Sequence, residues 1–302
     1  MLFPVRLIAG RWPRAVERPL RRFTWLDPRL VQDPGTDPAT FSRAMAAFAV
    51  GSTRKITGSG RHAAADALLL EHLDLSGAVI VDIGASDGST SVELATRLDG
   101  FARYLIADLY LEVHAVRTRR HTVFLDGAGT VVVVAGPRTV AWPALSPLVA
   151  LLYRPTLARA SRLWRSGSDV RTVPLVNPAT RDLLAGDPRL ELRTHDIFTP
   201  WSGPRPDLIK VANVLRRLYF TDSRILAALT VILGDLPDGG HLLLVDNPRV
   251  NPPTEDRGCL YRKDGDRFTL VGRTGQPTEV HELVLRVREP RTRQVQAREA
   301  HR

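Results

Sequence analysis

Four short apolar runs, each ending in small or acidic residues, constrain the fold of this 302-residue chain more than any other feature. They are AVIVDIG (78–84), RYLIAD (103–108), RLELRTHDIF (189–198) and PDLIKVANV (206–214), and HLLLVDN (241–247) repeats the pattern. Runs of this length, rich in Val, Ile and Leu, fit strands covered on both faces, as in a parallel sheet between layers of helix. Between the first two lies STSVELATRL (89–98), apolar at helical spacing, so strand, glycine-containing turn, helix and strand make one βαβ unit. In an open parallel sheet, ligands bind beyond the carboxyl ends of the strands. The spacing therefore predicts that Asp82 to Gly88, Asp108, His195, Asp196 and Asn213 converge in space although distant in sequence.

The rest of the chain is less regular. Residues 1–40 carry six prolines and no steady periodicity, and read as an irregular arm with at most one short helix. TFSRAMAAFAV (40–50), with Thr40 as its N-cap, and RHAAADALLLEHL (61–73) read as helices. HTVFL (121–125) and TVVVVA (130–135) flank Asp126-Gly127-Ala128-Gly129, a hairpin signal. VAWPALSPLVALLY (140–153) is uncharged and is followed by RPTLARASRLWR (154–165); Pro143, Pro147 and Pro155 argue against one long amphipathic helix there. Helices are predicted near 178–185 and over 221–234, while FTLVG (268–272) and VHELVLRV (280–287) read as a closing antiparallel pair.

Hydrophobic residues at 44% and charged residues at 25% are ordinary globular values, which exclude coiled-coil, collagen-like and wholly disordered chains. Cys259 is the single cysteine, so an internal disulfide and a cysteine zinc site are excluded, and the eight histidines show no His-x-x-x-His spacing. No metal is expected, and the setting expected is reducing and cytoplasmic. Arg6 and Arg11 interrupt the first apolar stretch, arguing against a signal peptide, and no run of 18 uncharged apolar residues reads as a membrane span. The net charge of +10 is uneven: residues 1–61 hold 11 basic and 4 acidic side chains, residues 62–111 hold 2 and 8, and residues 112–173 hold 9 and 3. Such an excess suits an anionic membrane surface, nucleic acid or an acidic substrate, and equally a solvated face.

Gly84 and Gly88 allow a tight turn and close approach of backbone to a ligand. Asp108 follows Asp82 by 26 residues, near the spacing at which an acidic strand end meets a ribose hydroxyl pair. Asp196 is placed to accept from an exocyclic amine such as that of adenine. His195 is a candidate general base, or a hydrogen-bonded structural histidine. VDIGASDGST (81–90), Asp108, HDIF (195–198) and VANVLRRLYFTDSRILAAL (211–229) together resemble class I S-adenosylmethionine-dependent methyltransferases. The segments DLIKVANVLRRLYF and DGGHLLLVDN are also similar to the chemotaxis-receptor methyltransferases.

The resemblance implies a Rossmann-like α/β fold: a seven-stranded methyltransferase sheet with helices on both faces, an N-terminal helical extension and an insertion after the second strand. It implies S-adenosyl-L-methionine as cofactor, with Asp82, Gly84, Ala85, Ser86 and Gly88 in the loop facing its methionine part, Asp108 the ribose, Asp196 the adenine and Asn213 the transferable methyl group. The domains expected are a basic arm and helix (1–61), a methyltransferase domain (62–288) with insertion 112–173, and a disordered basic tail (289–302). Two features depart from the family pattern. Ser86 stands where many relatives have glycine, and the insertion leaves the substrate class open. A nicotinamide fingerprint, Gly-x-Gly-x-x-Gly, is not supplied by 84–89. The activity expected is methyl transfer to an oxygen or nitrogen acceptor, a small molecule or lipid-like substrate, in the cytoplasm or at a membrane periphery. The alternative is a non-catalytic module of the same fold that binds an anionic membrane surface or nucleic acid through its arm and insertion. Nucleic acid is not the partner expected, and no Lys-Asp-Lys-Glu set of the kind used on ribose 2′-hydroxyls accompanies Lys210, which disfavours that RNA chemistry.

Overall fold

The computed structural model describes residues 3–50, 53–55, 60–247 and 256–289. The chain divides into two compact units, each built from two stretches: Met1–Gly58 with Tyr110–Arg181, and Ser59–Leu109 with Asp182–Arg302.

In the first unit seven strands lie in the order Val170–Pro174, Glu112–Arg117, Thr122–Leu125, Val131–Ala135, Thr139–Ala141, Val5–Ile8 and Thr24–Trp25. All neighbours are antiparallel except the last pair. The expected hairpin forms, and Asp126 Oδ1 closes it by accepting from the backbone N–H groups of Ala128 and Thr130. The amino-terminal arm is not irregular. Val5–Ile8 pairs with Thr139–Ala141, and the Trp142 indole donates to the Ala47 carbonyl at 2.8 Å. Phe41, Met45 and Phe48 join Phe124, Val133 and Trp142 in the core of this unit. The helix Pro38–Met45 is capped by Asp37 rather than Thr40: the Asp37 carboxylate accepts from the Thr40 backbone N–H, which places Thr40 inside the first turn.

The prolines of the uncharged run do not prevent a long helix. Pro143–Leu145 forms one 3-10 turn, then Pro147 opens a 20-residue helix, Pro147–Ser166. Proline in the first turn removes an N–H that has no helical partner in any case. Pro155 does lie inside, at a cost of about 3 kcal/mol. That cost is offset by the inner face, where the buried Val149 and Ala160 and the partly buried Tyr153, Leu157, Leu163 and Trp164 pack on Val116, Val123, Leu125 and Val134; full burial of one large apolar side chain contributes about 1.5–3 kcal/mol, so several partial burials together outweigh one proline.

The second unit contains strands β1 (Val79–Ile83), β2 (Arg103–Asp108), β3 (Leu190–Thr194), β4 (Leu208–Ala212), β5 (His241–Asp246), β6 (Arg257–Asp264) and β7 (Arg267–Arg273). Its helices include α1 (Ala63–His72), α2 (Ser89–Ala95), α3 (Asp222–Asp235) and α4 (His281–Arg286). The sheet order is β3-β2-β1-β4-β5-β6-β7, parallel through β5 and antiparallel thereafter. One face packs with α3 and α4, the other with α1 and α2, so helices cover both faces. The closing antiparallel pair is β6–β7, and 280–287 contains a helix instead of a strand. The reason is in the spacing: the buried residues there are Val280, Leu283, Val284 and Val287, a helical i, i+3, i+4, i+7 set. The tail expected after Glu289 lies outside the described residues. The protein is thus mixed α/β, with two seven-stranded mixed sheets, and no described helix is long and apolar enough to cross a membrane.

Candidate functional site

The order of the parallel strands reverses between β1 and β4, the switch point at whose carboxyl ends open α/β sheets form their ligand crevice. On the β1 side the chain turns through Gly84 (φ 78°), Ser86 (φ 61°) and Gly88 (φ 79°). Hydrogen bonds tie this turn to the next strand: the N–H groups of Gly84 and Ala85 both donate to the Ala107 carbonyl, and the Ser86 N–H donates to Asp108 Oδ2 at 2.8 Å. The His195 N–H donates to the Asp108 carbonyl, so the ends of β1, β2 and β3 are knitted together at Asp108. Serine at positive φ is a strained choice. Its hydroxyl and that of Ser89 are also buried with no hydrogen-bond partner. Leaving such a group unmatched costs about 1–3 kcal/mol, so the turn holds polar groups suited to a ligand.

Gly84 has a second role. A Cβ there would lie 2.1 Å from Val214 Cγ2, so the residue following Asn213 packs directly against the turn across the crevice. Glycine at 84 is required by this packing as well as by its positive φ.

On the β4 side Asn213 also has positive φ, 60°. Its Oδ1 accepts from the Asn247 N–H at 2.8 Å and its Nδ2 donates to Asn247 Oδ1 at 2.7 Å, while Asn247 Nδ2 donates to the Arg61 carbonyl. These bonds fix both amide orientations. They leave Asn213 Nδ2 facing His62 Nε2 at 3.3 Å, so Nε2 accepts and the imidazole proton is assigned to Nδ1. That Nδ1 is buried without a partner. Burial, reinforced by the charges of Lys210 and Arg61, holds the His62 pKa well below the usual histidine range and keeps the ring neutral. The sequence offers no spacing that singles out His62.

Beneath the crevice lies a group of buried charges. Lys210 Nζ pairs with Asp66 Oδ1 at 2.8 Å, both side chains being almost wholly inaccessible. Asp82, 1% exposed, accepts from the Ser91 hydroxyl at 2.8 Å and the Tyr104 hydroxyl at 3.2 Å, joining β1 to α2 and β2. Burial pushes the Asp66 and Asp82 carboxyls up, against the pull of the Lys210 ammonium. Asp82 therefore sits in the interior, below the turn.

The remaining candidates flank the β3 end. Asp196 Oδ1 accepts from the Phe198 N–H at 3.0 Å, shaping its own loop. The half-buried His195 ring meets Trp201 edge-on at 5.0 Å, and burial lowers its pKa despite Asp196. The structure thus brings Gly84, Ala85, Ser86, Asp108 and His195 into one backbone network, and Asn213 into another with Asn247 and His62. Val214 links the two. A groove lined by Leu73 to Ala78, Asp207 and Pro237 to His241 lies at the opposite ends of β1, β4 and β5, away from all of these residues.

No protein-family model matches the chain, and no curated protein does. Among solved structures the chain is similar to mitomycin 7-O-methyltransferase, at 20% identity over 74% of this chain and 44% of that one, with a TM-score of 0.34. It is similar to human N-acetylserotonin methyltransferase in complex with S-adenosylmethionine, at 13% identity over 72% and 40%, TM-score 0.34. It is also similar to an O-methyltransferase family 2 protein from Planctomyces limnophilus in complex with apigenin, at 19% identity over 60% and 34%, TM-score 0.28. The matches span less than half the length of each of those chains.

Proposed function

We propose that the second unit binds S-adenosylmethionine and moves its methyl group to an oxygen or nitrogen acceptor, a small or lipid-like molecule. In this reading the second unit is the methyl-transfer domain, and the 1–61 arm and the 112–173 insertion contribute to the first. The observation that carries the reading is the pair of buried, unpartnered hydroxyls of Ser86 and Ser89 on a positive-φ turn knitted to the Asp108 strand end. These residues fit a nucleoside-bearing cofactor. The turn would hold its polar amino-acid end, and Asp108 and Asp196 would accept from its ribose and base. Bound S-adenosylmethionine supplies a sulfonium-linked methyl group that is already activated for transfer.

The protein's share is alignment and exclusion of water. Asn213, fixed by Asn247 and His62, would border the acceptor. The His62 Nδ1–H is a buried donor suited to an acceptor oxygen. His195, kept largely neutral by its burial, would take a proton from an acceptor that carries one. A non-catalytic reading of the same fold finds its support in the basic first unit.

Calorimetry with S-adenosylmethionine and S-adenosylhomocysteine tests the proposal. Wild type is expected to bind both. Asp108→Ala is expected to weaken binding by about 1.5–3 kcal/mol, the value of a charged hydrogen-bond partner. Ser86→Ala keeps Cβ and the positive-φ strain and removes only the hydroxyl, so it separates ligand contact from strain. No binding by wild type overturns the proposal. Binding without turnover of labelled cofactor against any extract fraction leaves the non-catalytic reading.

A further inference from the structure

The helix Pro147–Ser166 buries one face on its own sheet and turns the other to solvent. Leu148, Leu151 and Leu152 are 78%, 64% and 75% exposed, and Leu145 in the preceding turn is 51% exposed. Leucines protruding to this degree on one helix face make a ridge instead of scattered surface residues. They share that face with Pro155, Arg159 and Arg162 at i, i+3, i+4, i+7, i+11 and i+14, and Arg154 and Arg165 flank it. All four arginines are exposed, and the helix contains no acidic residue. The outward face is therefore segregated along the helix axis: apolar over its first two turns, cationic over the last two.

We infer that this helix docks the protein on an anionic lipid surface, its leucine end among the acyl chains and its arginines at the headgroup phosphates. Charge complementarity selects the anionic surface. The leucines select lipid over nucleic acid, since a phosphate backbone would engage the arginines and leave the leucines in water. The dimensions agree. For a helix tilted into the surface leucine end first, the about 10 Å of helix between Leu152 and Arg159 at 1.5 Å per residue is close to the roughly 5–10 Å depth to which interfacial helices bury apolar side chains. Pro147 and Pro155 do not oppose the arrangement, because the helix is formed and held by its inner face without help from the membrane. The inference stands apart from methyl transfer and requires no occupant of the crevice.

The test is sedimentation of the full chain with phosphatidylcholine vesicles with and without phosphatidylglycerol. Binding is expected to the anionic vesicles at low salt and to fall as salt screens the arginines. The triple variant Leu148→Ser, Leu151→Ser, Leu152→Ser is expected to bind at least about tenfold more weakly. Its unfolding midpoint should match wild type, because the three side chains touch solvent. Arg159→Gln and Arg162→Gln should each cost about fivefold and flatten the salt dependence. Absence of binding to anionic vesicles at low salt overturns the inference. So does undiminished binding by the leucine variant, which would reduce the contact to adsorption by charge. Tighter binding to duplex DNA than to vesicles, or a wild-type dimer that the leucine variant dissolves, would reassign the ridge.

Discussion

The two units keep their charges in opposite places. The first, over 1–58 and 110–181, carries 20 basic and 7 acidic side chains, whereas the second carries 22 and 25. Among the described residues the first buries only Asp27 and Lys55 of its charged side chains. The second buries Asp66, Asp82, Asp87, Asp108, Lys210, Asp246, Asp256 and Lys263. A sheet made mainly of hairpins closes on an apolar interior and shows its charge outside, where it acts at long range on surfaces and partners. A parallel sheet whose strand ends converge gathers polar groups inside. Buried charge is costly unless paired; burial pushes the carboxyls of Asp66, Asp82 and Asp246 up, and groups so displaced are candidates for chemistry. The contrast sets a charged exterior in the first unit against charged groups gathered inside the second.

The contrast is broken or sharpened first by core substitutions. Trp142→Ala should destabilise the first unit by about 3–5 kcal/mol, since Trp142 packs edge-on to Trp25 and donates to the Ala47 carbonyl. Lys210→Met should cost the second unit a comparable 3–5 kcal/mol or so, because it strands the buried Asp66 carboxylate. The two losses differ in kind. Adding Asp66→Leu to Lys210→Met should recover much of the second loss by removing both charges, and no partner substitution should rescue the first. Urea unfolding followed unit by unit with hydrogen exchange measures both. A loss under about 1 kcal/mol for Lys210→Met would mean that the interior charge carries no such weight.

A smaller effect separates the units by sign with pH. Burial pushes the Asp246 carboxyl up to about 6. The folded protein therefore holds this proton more tightly than the unfolded chain, whose aspartates titrate near about 3.9. The stabilising contribution is full below that unfolded value and lost as pH rises through about 6. Asp246→Asn should stabilise the second unit at neutral pH by no more than about 3 kcal/mol and flatten its profile between these values. Asp37 behaves oppositely: hydrogen bonding to Thr40 lowers its pKa, so its contribution is present above the unfolded value and lost as pH falls through the folded one. Asp37→Ala, which removes one exposed helix cap, should give the smallest change, a slight fall in the first unit's melting temperature seen by calorimetry.

The parallel strands are legible in the sequence because burial on both faces leaves a continuous apolar run, as in IVDIG and YLIAD, and because each run ends in a polar residue where the site must lie. The amino-terminal arm is not, since a four-residue strand, Val5–Ile8, acquires its identity from Thr139–Ala141 rather than from its own neighbours. The helix Pro147–Ser166 is hidden by prolines whose positions, first turn and exposed face, make them tolerable. For α4 the signal is present, since Val280, Leu283, Val284 and Val287 are at helical spacing, but the alternation of VHELVLRV competes with it. In the site, Asp108 and Ser86 are readable through the turn that carries them. The Lys210–Asp66 pair leaves a readable trace, a charge interrupting each of two apolar runs, LIKVA and ADALLL. His62 leaves none, because its role depends on the orientation of two amides.

The pairing of Val5 with Ala141 also sets an order of events. At a synthesis rate of about 5–20 residues per second, the arm leaves the ribosome on the order of ten seconds before the strand that completes it. Meanwhile Ile8, Trp25, Phe41, Met45 and Phe48, all destined for or packed on one core, have no sheet to cover them. The residues made in that interval, 59–109, contain β1 and β2, which themselves wait for β3 and β4. Neither unit can close before the chain has crossed into the other and back. Nascent chains halted near residue 110 should therefore be the form most prone to capture by chaperones or to aggregation.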